Sequence, residues 1–181
     1  MDVFNKRTAL LITDMIYDFI EEDGALHVPG AKKIVPRIAE LATEARAAGA
    51  HVVYVNDTHD PDDAEFEMWP EHAIRGSAGS RIIKALEPQH GDHIIEKTRY
   101  SGFFETELDD LLKRLGVNRV VITGTVTNIC VLYTATDATM RGYMVSVPAD
   151  AVAAFTAEDQ EFTLRQVEKV LGGEVIPGKE G

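Results

Sequence analysis

Residues 122–139, ITGTVTNICVLYTATDAT, pass from a β-branched run through a Gly/Thr/Asn turn into a helix-forming stretch. The same passage from apolar run to helical pattern recurs along the chain. Thr8 to Thr13, His51 to Val55, His93 to Glu96, Val120 to Thr123 and Tyr143 to Val147 read as buried strands, and Glu174 to Ile176 is placed to close the sheet. Between them, Ala31 to Ala48 puts Ile34, Ile38, Leu41 and Ala45 on one helical face, and Glu107 to Leu115 repeats the pattern. Strands alternating with helices imply right-handed β-α-β units and a parallel sheet covered on both sides. The expected fold class is α/β, a three-layer α/β/α sandwich around a mainly parallel, Rossmann-like sheet of about six strands. With no repeat, low-complexity tract or Gly/Ser linker, residues 1–181 are expected to form a single domain.

Composition narrows the function. One cysteine in 181 residues excludes a disulfide within the chain, and MDVFNKR at the start has no basic region leading into a long apolar stretch, so a cytoplasmic setting is expected. A formal charge of −12 repels phosphate backbones and anionic lipid; neither nucleic acid nor a membrane is expected as partner, and a small-molecule substrate fits better.

In such sheets ligands bind beyond the carboxyl ends of the strands, and three of those ends carry reactive groups. Asp14 ends the first strand, Lys97 follows the third, and Cys130 follows the fourth. Cys130 falls where a helix begins, so unpaired N–H groups and the helix dipole favour thiolate over thiol, although a lone cysteine also packs well as a small buried hydrophobe. Nucleophile, proton acceptor and cation together suit amide cleavage through a covalent intermediate, with the N–H groups of Val126 and Cys130 as the expected oxyanion donors.

The irregular stretch from Asp57 to Ser80 holds a second group: Asp57, His59 and His72, with Glu65 between them. Residues two apart share a face of an extended chain, so Asp57 and His59 point together. Two imidazoles and a carboxylate suit a divalent first-row metal, zinc foremost, with iron or manganese served by the same ligands; a solvated acidic loop with two surface histidines is the alternative. Phe19 and Trp69 can sandwich a flat ring, or serve as a core residue and a loop anchor.

These blocks, TALLITDMIYDF, NDTHD, MWPEH, GSAGS, EKTRYSGF and GTVTNICVLYTATDA, resemble the isochorismatase-like cysteine hydrolases, and among them the nicotinamidases (pyrazinamidases). The resemblance implies a catalytic triad of Asp14, Lys97 and Cys130, and a cis peptide between Thr125 and Val126 that turns the Val126 amide toward the oxyanion. It implies a metal held by Asp57, His59 and His72, with Glu65 at the spacing of an additional ligand in some bacterial nicotinamidases. It also implies Phe19, Trp69 and Tyr100 around a pyridine ring, a role in NAD salvage, and a homo-oligomer. Two features depart from the pattern: Ile16 stands where many members carry Gln, and the span from His59 to His72 is short. Another small-amide hydrolase of the superfamily, a non-catalytic binding module, and a hydrolase that uses metal-bound water are the competing readings.

Overall fold

The computed structural model describes residues 3–178; the extreme ends of the 1–181 span, residues 1–2 and 179–181, lie outside it. Seven strands, β1 (Thr8–Thr13), β2 (His51–Asp57), β3 (His93–Lys97), β4 (Arg119–Thr125), β5 (Met144–Pro148), β6 (Val152–Ala153) and β7 (Glu174–Ile176), form one parallel sheet. Its order is β3-β2-β1-β4-β5-β7, with β6 paired to the end of β4. The helices are α1 (Tyr17–Ile20), α2 (Ala31–Ala47), α3 (Leu108–Arg114), α4 (Leu132–Met140) and α5 (Ala157–Lys169).

Alternation along the strands assigns the two faces. Leu10 and Ile12 of β1, with Val52 and Tyr54 of β2, pack with Phe19 of α1 and with Ile34, Ile38 and Leu41 of α2. Their neighbours Ala9, Leu11, Val53 and Val55 pack on the other face against Leu108 and Leu112 of α3, Ala135 and Ala138 of α4, and Val167 of α5. Period-two side chains that are apolar on both sides are what a sheet covered by helices on each face requires. None of the described helices is long and apolar enough to cross a membrane.

The chain leaves β1 through α2 to β2 and β3 on one side, then returns to the opposite side of β1 to make β4 and β5. The switch point is therefore the β1/β4 edge, where adjoining loops diverge and leave a crevice. Register fixes what meets there: Thr13 is opposite both Val55 and Gly124, and Asp57 is opposite Lys97.

Candidate active site at the switch point of the sheet

Asp14 is the first residue beyond β1 and takes φ +51°, turning its carboxylate back across the strand ends. Oδ1 accepts the Asp57 N–H at 2.6 Å, and the Asp14 carbonyl accepts the Thr125 hydroxyl at 3.0 Å. Lys97, the last residue of β3, is 1% exposed. Its Nζ lies 2.9 Å from Asp14 Oδ2, pairs with Asp57 Oδ1, and donates to Cys130 Sγ at 3.5 Å. Acid, ammonium and sulfur from three distant stretches thus converge at one buried point.

Burial, with the charge of Asp57 added, pushes the Asp14 carboxyl up to about 6 against the pull of Lys97. Burial disfavours the charged form of Lys97 as well, but Asp14 and Asp57 outweigh it and hold the ammonium firmly protonated. For Cys130 the expected thiolate is not the resting form. The residue is 3% exposed, and burial, which Lys97 only partly offsets, drives the thiol well above its ordinary value. The local geometry differs too: Cys130 is the fourth residue of a π-type turn, Thr127–Val131, that leads into α4. Sulfur there starts as S–H beside a carboxylate able to take its proton.

The Thr125–Val126 peptide is cis. Val126 and Cys130 both line a cavity of about 270 Å³, mouth included, whose walls also hold Phe19, Trp69, Tyr100, Asp57, Glu65 and His72. Trp69 stacks on Phe155 at 6.4 Å between ring centres and 17° between planes, and its Nε1 donates to the Tyr100 hydroxyl at 3.1 Å. Phe19 is both a core residue and a wall, edge-on to His72 at 5.5 Å.

Asp57, His59 and His72 are buried and offer ligand atoms that all lie within 4.8 Å of one another. Asp57 Oδ2 is 3.9 Å from Nε2 of each imidazole. His59 Nδ1 meets an Asp63 carboxylate oxygen at 3.0 Å and His72 Nδ1 meets the Pro70 carbonyl at 2.7 Å. Both acceptors require a proton on Nδ1, so in the neutral rings the unprotonated nitrogen is Nε2, on the side of Asp57. His59 Nε2 is buried with no hydrogen-bond partner. A buried ring nitrogen without a partner, beside a second imidazole and a carboxylate, fits a divalent cation. Glu65 stands outside this group but lines the same cavity, where burial and the Asp57 charge raise its carboxyl.

Four contributors were not read from the sequence. Phe155, Leu26 and Ile129 line the cavity. Their apolar side chains carry no chemical signal; the segment after β6, the loop before α2 and the Cys130 turn bring them there. Gln160 of α5 accepts the Thr127 hydroxyl at 2.6 Å and donates to the Val152 carbonyl at 3.0 Å, tying the Cys130 turn to the sheet.

A family model for the isochorismatase domain matches residues 8–180. An uncharacterized isochorismatase family protein, YaaI of Bacillus subtilis, is 37% identical over 92% of each chain, and a probable inactive nicotinamidase of Arabidopsis thaliana is 37% identical over 84% of each. Among solved structures, N-carbamoylsarcosine amidase from Thermoplasma acidophilum superimposes with a TM-score of 0.88 at 38% identity, covering 97% of this chain and 98% of that one. Pyrazinamidase/nicotinamidase from Streptococcus mutans gives 0.89 at 34%, covering 93% and 99%. Pyrazinamidase of Pyrococcus horikoshii in complex with zinc gives 0.89 at 32%, covering 94% and 99%.

Proposed function

The chain belongs to the isochorismatase family of amidohydrolases, and from that premise we propose that it is a metal-assisted cysteine amidohydrolase converting nicotinamide and water to nicotinate and ammonia. One observation carries the reading: the Cys130 thiol and two members of the candidate metal group, Asp57 and His72, line the same small, aromatic-walled cavity. An acyclic substrate such as N-carbamoylsarcosine has no ring for those walls and no ring nitrogen for a metal.

Asp14 takes the Cys130 proton as sulfur attacks the carboxamide carbon, and Lys97 Nζ stabilises the thiolate as it forms. The Val126 and Cys130 amides receive the oxyanion, a contact of the kind worth about 3–4 kcal/mol per donor. The C–N bond breaks as Asp14 gives its proton to the departing nitrogen, releasing ammonia and leaving a thioester. Water then attacks the thioester, Asp14 accepts its proton, and the carboxylic acid leaves as the proton returns to sulfur. A carboxyl near pH 6 is suited to both duties. Phe19, Trp69 and Tyr100 hold the ring. Asp57, His59 and His72 would hold the metal, with Glu65 beside them, and the ion, when bound, supplies a Lewis-acid contact for the pyridine nitrogen. The zinc complex of the Pyrococcus relative favours zinc, and the same donors accept iron or manganese.

Ammonia release from nicotinamide, pyrazinamide and an N-carbamoyl amide tests the reading. Nicotinamide and pyrazinamide are expected to turn over; Cys130→Ala abolishes turnover with metal content unchanged, and His59→Ala loses the metal. Preference for the carbamoyl compound would move the chain to another small-amide hydrolase, and normal turnover by Cys130→Ala would overturn the covalent route.

A further inference from the structure

His59 and His72 are held in the same tautomer by different means. The partner of His72 is a backbone carbonyl, which no side-chain change removes. The partner of His59 is Asp63, four residues along the loop, whose side chain is only 9% exposed. Asp63 is itself fixed from two directions: Oδ1 accepts the Glu65 N–H at 2.9 Å, and Arg99 Nη1 lies 2.9 and 3.0 Å from its two oxygens. Arg99 follows Lys97 by two residues, so the stretch that delivers the ammonium to the thiol also delivers the guanidinium that anchors this carboxylate.

From this chain of contacts we infer that Asp63, held by Arg99, is a positioning residue for metal capture, fixing His59 with its Nε2 lone pair toward Asp57 and His72. A carboxylate on the far nitrogen of a ligating imidazole locks the ring, sets the tautomer and raises the basicity of the ligating nitrogen. Asp63 is acceptor-only when ionised, so Nδ1 must carry the hydrogen, and the buried Nε2 without a partner is the result of that constraint. Arg99 and the Glu65 amide keep the carboxylate from turning away to solvent. The inference rests on the metal reading above, and Asp63 touches neither metal nor substrate in it.

Asp63 also caps the short helical turn Ala64–Glu67, so a test must separate capping from orienting. Serine keeps a cap oxygen for the Glu65 N–H but is too short to reach His59 Nδ1; asparagine keeps the cap through its single acceptor oxygen and turns an NH2 donor, not an acceptor, toward the Nδ1 hydrogen. Zinc affinity of the stripped full-length protein, measured by competition with a chromogenic chelator, is the readout, alongside the melting temperature of each metal-free variant. Asp63→Ser is expected to bind zinc about 10–100-fold more weakly while melting like the parent, and Asp63→Asn, which sets a donor against the Nδ1 hydrogen, to lose a comparable amount. Arg99→Gln, which leaves the cap untouched, is expected to weaken zinc binding several-fold. Affinity in Asp63→Ser within threefold of the parent overturns the inference, as does parent-like affinity in Asp63→Asn. A parent protein that binds no zinc, or a His59→Ala variant that binds it undiminished, overturns the metal reading itself; the two failures are thereby distinguishable.

Discussion

Lys97 is a buried ammonium between two buried carboxylates, and that position makes it structural as well as chemical. Replacing it with methionine preserves much of the side-chain volume but leaves Asp14 and Asp57 facing each other without a cation. Breaking a buried ion pair from one side costs about 3–5 kcal/mol, because a charge is left uncompensated. Urea unfolding of metal-free Lys97→Met is expected to show a loss of that size; a loss under about 1 kcal/mol would mean that the carboxylates relieve each other by sharing a proton. Asp14, Lys97 and Cys130 were legible as a set because strand ends in a parallel sheet fall on one edge whatever the loops do. The state of the sulfur was not legible: position at a helix start points to thiolate, while burial, which depends on the complete fold, points the other way and prevails. Asp63 escaped the sequence reading for a related reason, since one more acid in an acidic loop gains meaning only when His59 turns toward it.

Among the elements, β1, β2, β3, β4, β5 and β7 lie within two residues of their sequence reading, and α2 and α3 within one, because apolar periodicity sets them locally. The two-residue β6 has no such signal; it exists through its pairing with Gly124 and Thr125. Gly124 of β4 is in register with Thr13 of β1. It has φ +103°, and a Cβ built there would lie 1.9 Å from the Thr13 carbonyl oxygen. Side chains rarely adopt that backbone conformation, and both strands are backbone-bonded to neighbours and cannot retreat. Strain and overpacking each cost about 1–3 kcal/mol, so Gly124→Ala is expected to lower the urea midpoint well below that of the parent. It should also displace the turn that carries Val126 and Cys130, reducing amide turnover in whatever fraction remains folded. An unchanged midpoint with normal turnover would show that the β1/β4 edge yields more readily than its hydrogen bonds imply.

Over the whole molecule, the candidate metal group joins parts that the chain otherwise connects only loosely. Asp57 belongs to β2, His59 lies just beyond it, and His72 returns from the far side of a loop closed at its base by two backbone hydrogen bonds, the His59 N–H reaching the Ala73 carbonyl at 3.0 Å and the Arg75 N–H reaching the His59 carbonyl at 2.8 Å. An ion bound by all three residues has no equivalent site in the unfolded chain, so binding adds directly to folding stability. At a free concentration 100 times the dissociation constant the gain is about 2.7 kcal/mol, and a chain of this length converts that into a rise of about 5–11 °C in melting temperature. Zinc added to stripped protein is expected to raise the midpoint by that amount and EDTA to reverse it. His72→Ala, which removes the ligand on the far side of the loop, should abolish the shift, whereas Cys130→Ala should retain it because sulfur is outside the ligand set. Equal melting temperatures for the zinc-treated and stripped parent would dissociate the three residues from metal binding, and a shift lost in Cys130→Ala would move the ion from the histidines to the thiol.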